Sequence, residues 1–457
     1  MPQNQSIHRL RDVEVASLQL RRIYRVIRET MRAMSGFILA TPNLDTKRLL
    51  GRHAWIDAQH ADALRTRVMD LRFPRLDADD DMPPAWMELL SFLPRAKSES
   101  EFLGGVYSVV KPRVVEALEA YRAGADAIDD APSHLIIRRL VDEIRMEIEE
   151  AESSGLICET ASGWRDFLAR SFDHLGNFEI ASLDNTPSSL PQVKGFSDRA
   201  PFELPAVPAR DPSFHPAVMQ VPPREPKSGV ESRIWLAIDH ANETWAGEVP
   251  FGMIWKYPKA DWELLRDSTR WGYDEFRHSM MGERRLKGWG FVPGHDYPVV
   301  SDHFRALHEN GYTIEDSVLL LHALELSGPH WKAGLVREFI ALGDAPSAVD
   351  CDYDWADESG HIRVGLAWTR YLYPQMTKTQ VIARHTQLKN FWTNWMRQHQ
   401  QNGTHGYEHF MKRIEMLAPK IADRENPAAT SKPAKLSYGG TDIFEFDMPA
   451  DRSAPSP

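Results

Sequence analysis

The apolar positions of this chain recur with the period of an α-helix through most of its length. In the N-terminal part the pattern predicts four helices, at residues 13–37, 46–71, 99–121 and 133–151. In the central part, helix-capping and helix-breaking residues delimit four more, at residues 228–256, 261–288, 313–343 and from 344 onward. The sequence therefore predicts an all-α fold with two successive four-helix bundles.

Two of the central helices contain residues that interrupt a helix. Gly328 and Pro329 fall inside the third one, where the proline ring would clash with the carbonyl group of Glu325. Gly247 and Pro250 occupy a comparable place in the first one. Because helix irregularities are common at functional sites, we interpret both as openings of a pocket. A kink that serves only packing is the alternative.

Composition divides the chain into further regions. Residues 186–228 are dense in proline and carry few helix signals, which predicts an extended linker. Beyond the central bundle a helical pattern resumes and then gives way to Pro, Ser, Ala and Asp. The predicted domains are an N-terminal helical bundle at 1–185, the linker at 186–228, the central bundle at 229–375, C-terminal helices at 376–417 and a flexible tail at 418–457.

The central bundle contains one motif twice. The first copy reads HANE at residues 240–243 and DEFRH at 274–278, and the second reads HALE at 322–325 and DESGH at 357–361. A lone glutamate thus precedes a Glu-x-x-His by 32 residues in the first copy and by 33 in the second. Because residues three apart on a helix share a face, each Glu-x-x-His can point into the bundle. The connection at residues 288–312 is long enough to cross the length of such a bundle.

These residue types indicate a pair of metal ions. Two divalent ions bring four positive charges, which four glutamates balance, whereas a buried charge without a partner would be very unfavourable. Carboxylate and imidazole groups suit iron and manganese, and the absence of thiolates argues against a structural zinc site. One Glu-x-x-His alone is usually a solvated pair, but its repetition with an upstream glutamate favours a ligand set. The predicted ligands, which are also the predicted catalytic residues, are Glu243, Glu275, His278, Glu325, Glu358 and His361.

Residues 230–375 resemble the ferritin-like superfamily of non-haem di-iron carboxylate proteins. The DEFRH motif matches the Asp-Glu-x-Arg-His signature of its oxygenases and of the ribonucleotide reductase small subunit. The order of motifs, with GWGF at 288–291 and GHIRVG at 360–365, is similar to a bacterial ferritin-like family of unknown function near a tRNA-modifying hydroxylase. The resemblance covers about a third of the chain and implies a ferritin-like four-helix bundle with a dinuclear metal site.

The resemblance also implies a role for each residue of the repeat. The terminal ligands would be Glu243 and His278 for one ion, and Glu325 and His361 for the other. The bridging ligands would be Glu275 and Glu358. Asp274 and Asp357 would each accept the ring N–H of a ligand histidine and fix its tautomer. One departure is Gly360, which stands where the signature often has arginine. The implied cofactor is two iron ions, with a manganese and iron pair as the variant.

Four further residues lie close to the motif in sequence. His240 and His322 each precede the lone glutamate by one turn, which suits either an outer hydrogen-bonding role or an ordinary core histidine. Glu248 and His330 each follow it by five residues. We favour the interpretation that Glu248 and His330 are ordinary polar residues. The alternative is an extra metal ligand or a proton carrier.

The N-terminal helices carry an incomplete version of the motif found in the central bundle. His53, Asp57 and His60 lie on the second predicted helix, and DEIRM occupies residues 142–146 on the fourth. Met146 stands where a ligand histidine would be needed. We interpret this part as a degenerate copy without a full metal-ligand set that serves as scaffold, dimer surface or pocket lid. A residual single-metal site at the three polar residues is the alternative.

Composition narrows the function classes. The net charge of −11 over 457 residues argues against a general nucleic-acid binder. Two cysteines give no disulfide framework and fit a reducing, cytoplasmic compartment. We find no signal peptide and no apolar run of membrane-spanning length.

Three functions compete at this point. The favoured one is a di-iron oxygenase or oxidase that takes electrons from an external donor and activates dioxygen to oxidise a small organic substrate, by C–H hydroxylation or N-oxygenation. The second is a ferritin-like metal-handling or peroxide-reducing protein, and the third is a non-catalytic helical interaction protein. A homodimer is compatible with each of them.

Overall fold

A computed structural model describes residues 12–72, 82–157, 162–176, 178, 187–218, 224–299 and 303–422. Cys158, parts of the predicted linker and the tail from residue 423 lie outside the described residues. Within the described ranges the chain forms helices, one isolated bridge between Pro293 and Tyr297, and no strand. The prediction of an all-α fold is confirmed. No helix in this part of the chain has both the length and the apolar character that a membrane crossing needs.

The contacts divide the chain into two compact units. The first unit contains residues 1–41 and 45–204, and the second contains 42–44 and 205–457. The division between Leu204 and Pro205 lies within the range predicted as the linker. The helices of the first unit are α1 (Val13–Ala40), α2 (Leu44–Asp70), α3 (Pro84–Leu90), α4 (Glu99–Gly105), α5 (Lys111–Gly124), α6 (Ala131–Ser153) and α7 (Ser162–His174).

A π-helical segment, Val106–Val110, joins α4 to α5 in the first unit. The sequence pattern predicts one helix over residues 99–121, and the structure shows this helix with a local change of pitch. The change ends at Lys111, which is followed by a proline at the start of α5. Lys111 is buried, and α5 packs against α1 and α6.

The second unit contains the helices that carry the repeated motif. They are α8 (Gly229–Ala241), α9 (Thr244–Lys256), α10 (Trp262–Gly288), α11 (His303–Glu309), α12 (Ile314–Glu325), α13 (Gly328–Ala341), α14 (Ala345–Leu372), α15 (Lys378–Gln401) and α16 (Glu408–Ala422). Ser228 caps the start of α8 by accepting a hydrogen bond from the Glu231 amide. Asp344 accepts one from the Ser347 amide at the start of α14.

Two predicted helices are each broken at a lone glutamate of the motif. The helix predicted over 228–256 stops at Ala241 and restarts at Thr244, so Glu243 lies at the junction. The helix predicted over 313–343 ends at Glu325 and restarts at Gly328. The kink expected in the third helix is thus a two-residue break. In the first helix the break precedes Gly247 and Pro250, which lie inside α9. The backbone stays hydrogen-bonded at both breaks, from Glu243 N to His240 O and from Ser327 N to Leu324 O.

The broken and unbroken helices form four rods that close on themselves. The α8–α9 rod packs against α10, and α10 packs against α14. The α12–α13 rod packs against α14, and α9 packs against α12. Every rod therefore touches two others. Outside the rods, α16 packs on α8 and α15 packs on α12 through buried aromatic and aliphatic side chains.

Close approach between α8 and α10 depends on Gly282. A Cβ atom at this position would lie 2.5 Å from the backbone nitrogen of Ala241 and would also overlap the carbonyl oxygen of Ala237. These are backbone atoms, so the two helices would have to move apart. Gly334 on α13 provides a contrast, because a Cβ atom there meets nothing within 4 Å.

We predict that Gly282→Ala lowers the free energy of unfolding by about 1–3 kcal/mol, the usual effect of overpacking. Gly334→Ala should instead raise it by about 0.5–1 kcal/mol, because alanine replaces glycine inside a helix without a clash. Thermal and urea unfolding followed by circular dichroism measure both effects. Equal effects of the two substitutions would contradict the close approach.

Candidate metal centre

Four rods bring the predicted ligands to one place in the second unit. Helix α10 presents Glu275 and His278 from the same face, and α14 presents Glu358 and His361 likewise. The helix breaks contribute Glu243 and Glu325. All six side chains are buried except that of Glu243, which is 17% exposed.

The first group forms around the imidazole of His278. Its Nδ1 atom lies 3.4 Å from Oε2 of Glu243 and 3.6 Å from Oε2 of Glu275. The ligand atoms of these three residues all lie within 4.8 Å of one another. One divalent ion fits between atoms at this separation.

The second group forms around the imidazole of His361. Its Nδ1 atom lies 3.2 Å from Oε1 of Glu275 and 3.4 Å from Oε1 of Glu325. Glu275 thus directs one carboxylate oxygen at each histidine, whose ring centroids are 5.9 Å apart. This carboxylate spans both groups, as a bridging ligand must.

Glu358 takes a different position from the one that the resemblance implies. Its Oε1 atom lies 3.7 Å from Nζ of Lys332, and Glu358 belongs to none of the four three-residue groups of candidate ligands in the described chain. A Cβ atom at position 328 would overlap its carboxylate, so Gly328 at the start of α13 gives it room. The structure therefore brings five of the six predicted ligands into two groups and leaves Glu358 beside them. Its bridging role remains a prediction.

The two motif aspartates approach the histidines crosswise between α10 and α14. Oδ2 of Asp357 lies 3.2 Å from Nε2 of His278, and Oδ2 of Asp274 lies 3.6 Å from Nε2 of His361. The first contact is a hydrogen bond and the second is slightly too long for one. In both cases the ring turns Nδ1 toward the glutamates. Arg277 bonds both aspartates, which keeps their negative charge balanced outside the two groups.

Two buried residues that the motif does not contain complete the cluster. Asp354 lies four residues before Glu358 on the same face of α14, and Lys332 lies seven residues after Glu325, on the helix that follows the break. Nζ of Lys332 contacts Asp354 and lies 3.4 Å from Oε1 of Glu243. These spacings were the available sequence signal, but neither residue belongs to the repeat.

His240 joins this network as an outer hydrogen-bonding group. Arg285 donates a hydrogen bond to its Nδ1 atom at 2.9 Å. Because arginine has no acceptor atom, the proton of a neutral His240 ring resides on Nε2. Nε2 then donates to Oδ2 of Asp354 at 2.5 Å.

The electrostatics of the cluster show an excess of carboxylate charge. Burial and then the charge of Glu275 raise the pKa of Glu325 to about 8. Burial also raises the pKa of Glu358 well above its ordinary value, although the ammonium group of Lys332 opposes this. Lys332 is itself buried, yet Asp354, Glu243 and Glu358 together raise its pKa well above the usual range. Burial lowers the pKa of His278 and of His361, but nearby carboxylates, chiefly Asp354 and Glu325, raise both pKa values well above the usual range. In the metal-free cluster, protons and Lys332 thus offset the carboxylates, and divalent ions would take the place of those protons.

Several buried atoms of the cluster have no hydrogen-bond partner. They are Oε2 of Glu243, Oδ1 of Asp354, Oε2 of Glu358 and both ring nitrogens of His361. Buried polar atoms in folded proteins nearly always have a partner, so unpaired acceptors at one place call for a bound cation. The donor set contains oxygen and imidazole nitrogen without thiolate, which fits iron or manganese. The residues present therefore fit the predicted pair of metal ions.

Three other candidate residues have partners of a different kind. His322 packs against Thr369, whose Oγ1 lies 3.4 Å from its Nδ1, and in the described chain it forms no hydrogen bond or ion pair with a predicted ligand. Both carboxylate oxygens of Glu248 accept hydrogen bonds from Arg210, at 2.5 and 2.7 Å. His330 is exposed on α13.

The first unit contains a related polar cluster. His60, Asp57 and Glu147 are grouped within 4.8 Å, and Nζ of Lys111 lies 2.7 Å from Asp57 and 2.9 Å from Glu147. His53, which the sequence grouped with Asp57 and His60, instead contacts the Tyr107 hydroxyl at 2.7 Å. The predicted trio is thus not assembled. A lysine ammonium group stands between the carboxylates, where a metal ion would stand in a complete site.

No protein family model, curated protein or solved structure matches this chain.

We predict that Lys332→Met lowers the unfolding temperature of the metal-free protein, because it leaves buried carboxylates without their counter-charge. Breaking a buried ion pair in this way destabilises a protein by roughly 3–5 kcal/mol. Thermal unfolding in the presence of a chelator measures the change. Added Mn²⁺ should recover part of the loss.

Lys287→Met is the matched control for this prediction, because Lys287 lies in the same unit with an exposed ammonium group paired to Glu283. Exposed ion pairs contribute little, about 0–1 kcal/mol. Similar unfolding temperatures for the two variants would show that Lys332 does not neutralise the cluster.

Proposed function

We propose that this protein is a ferritin-like, non-haem di-iron oxidoreductase that uses dioxygen to oxidise a small organic substrate. The observation that carries the proposal is the position of Glu275, whose two oxygens face the Nδ1 atoms of two buried histidines on different helices. A structural ion pair or a solvated helix surface does not need this arrangement, whereas a shared dinuclear site does.

The chain's residues divide between the two ions as follows. Glu243, Glu275 and His278 would hold one ion, and Glu275, Glu325 and His361 would hold the other. Glu358 lies beside the pair and completes the predicted set of four glutamates. Two iron ions, or a manganese and iron pair, would supply the electrons that reduce dioxygen, after an external donor has reduced them.

The protein itself supplies orientation and a dry environment. Asp357 fixes the His278 ring by accepting from Nε2, so that Nδ1 keeps its lone pair for an ion. Nε1 of Trp271 donates to Oε1 of Glu275 at 2.9 Å and to Oε1 of Glu325 at 3.3 Å, which holds both carboxylates in place. Burial of these groups excludes bulk water, which strengthens the electrostatic interactions of the site.

Two features favour oxidation of an organic substrate over metal handling. The helices that carry Glu243 and Glu325 are interrupted at the site, which is typical of functional positions. The chain also contains another helical unit, of similar size, that does not carry the cluster. Simple storage or peroxide reduction requires neither feature. The surplus of carboxylates alone would serve a metal-handling protein equally well, and the experiment below separates the two functions.

Anaerobic loading with Fe(II), followed by rapid mixing with oxygenated buffer, tests the proposal. We expect two iron ions per chain and a transient visible absorption band. Repeated additions of Fe(II) and oxygen should leave the iron content at two per chain. Progressive accumulation of iron beyond this number would favour metal handling instead.

We predict that Glu275→Ala loses both metal ions and the transient absorption band but keeps its helix content, because the Glu275 carboxylate belongs to both ligand groups. Glu263→Ala removes an exposed glutamate from the same helix and should behave as the wild-type protein does. Metal analysis and circular dichroism measure the two properties. Retention of two ions by Glu275→Ala would show that the ligand assignment is wrong.

A further inference from the structure

Asp354 lies at the heart of the cluster, one turn before Glu358 on α14. It is fully buried, and its Oδ1 atom has no hydrogen-bond partner. The same atom lies 3.5 Å from Nδ1 of His278, on the side of the ring that faces the glutamates. A buried carboxylate oxygen in this situation needs a cation.

The other oxygen of Asp354 is fully engaged, which fixes the direction of the unpaired one. Nε2 of His240 and Nζ of Lys332 both donate to Oδ2. The hydrogen bond from Arg285 holds His240 in the tautomer that can donate. The carboxylate therefore cannot rotate without breaking these contacts, and Oδ1 stays directed at His278.

Glu243 repeats this arrangement from a different helix. Its Oε1 atom lies 3.4 Å from Nζ of Lys332, while its Oε2 atom lies 3.4 Å from Nδ1 of His278 and has no hydrogen-bond partner. Lys332 thus engages one oxygen of each of two carboxylates. The remaining oxygens, one from Glu243 and one from Asp354, converge on the same imidazole nitrogen.

We propose that Asp354 is a further ligand of the metal ion that Glu243 and His278 hold, and that Lys332 and His240 are positioning residues for its carboxylate. The inference rests on the two-ion centre proposed above. It adds a carboxylate that the repeated motif does not contain, so the two ions would have different sets of ligands.

Charge balance supports an additional carboxylate at this point. The ammonium group of Lys332 offsets the charge of Asp354, and the four glutamates still balance two divalent ions. Among the described residues, the other half of the centre has no equivalent carboxylate on α10. The position one turn before Glu275 is Trp271, which donates a hydrogen bond to Glu275 instead of offering a ligand oxygen.

A titration with Mn²⁺ alone tests the proposal without any catalytic turnover. Electron paramagnetic resonance counts the free ion and reports whether two bound ions are coupled. The wild-type protein should bind two ions per chain. In Asp354→Asn, the ion at Glu275, Glu325 and His361 should bind nearly as before. The other ion should bind more than about 100-fold more weakly, a larger loss than removal of an outer hydrogen-bonding partner causes.

Asp352→Asn provides the control for the change of charge, because Asp352 is exposed on the same helix. It should bind both ions as the wild-type protein does. If folded Asp354→Asn also binds both ions with unchanged affinity, Asp354 is only a structural partner of Lys332 and the proposal is overturned.

A second variant keeps the test decisive if Asp354→Asn does not fold. The double variant Lys332→Met with Asp354→Asn removes the carboxylate together with the ammonium group that needs it, so the net charge is unchanged. It should lose the ion at Glu243 and His278 and keep the ion at Glu275, Glu325 and His361. Two tightly bound ions in the double variant would also overturn the proposal.

The wild-type titration separates this inference from the function on which it rests. Fewer than two ions in the wild-type protein would contradict the two-ion centre itself. Two ions in the wild-type protein together with unaffected binding in the Asp354 variants would contradict only the added ligand.

Discussion

The second unit depends on balancing a large negative charge inside a helical bundle. Four glutamates and Asp354 approach one another in an environment with little access to water, and Lys332 supplies the one ammonium group that contacts them within the described chain. Burial disfavours each charged carboxylate, which is why the pKa of Glu325 and of Glu358 is raised. Bound divalent cations would offset this repulsion, so we expect them to stabilise the fold of this unit.

The backbone makes this concentration of ligands possible. Glu243 and Glu325 lie at helix breaks, so their side chains are not bound to the regular spacing of a helix surface. At Gly328 the absence of a Cβ atom leaves space for the Glu358 carboxylate, and at Gly282 it lets α8 approach α10 closely. The irregular positions are therefore a structural requirement of the cluster.

Much of this architecture could be predicted from the sequence, and the misses have physical causes. Helical periodicity predicted most helices of both units but missed α3 and α7 of the first, and the repeated motif predicted five residues that lie in two groups. Periodicity reports which face of a helix is buried but cannot show contacts between helices, so Asp354 and Lys332 were missed. The helix breaks were harder to predict, because a glycine or proline pattern indicates a defect and not its extent. Pairing of His53 with Tyr107 likewise depends on the fold of the first unit.

Both units bury carboxylates beside a lysine ammonium group, which neutralises them to a different extent. In the first, Nζ of Lys111 contacts both Asp57 and Glu147. In the second, Lys332 balances only part of the charge. The most direct test of this account is anomalous diffraction from crystals of the Mn²⁺-loaded protein. The account predicts two peaks about 3.5–4 Å apart, on either side of the Glu275 carboxylate. A single peak, or two peaks that do not share Glu275, would contradict it.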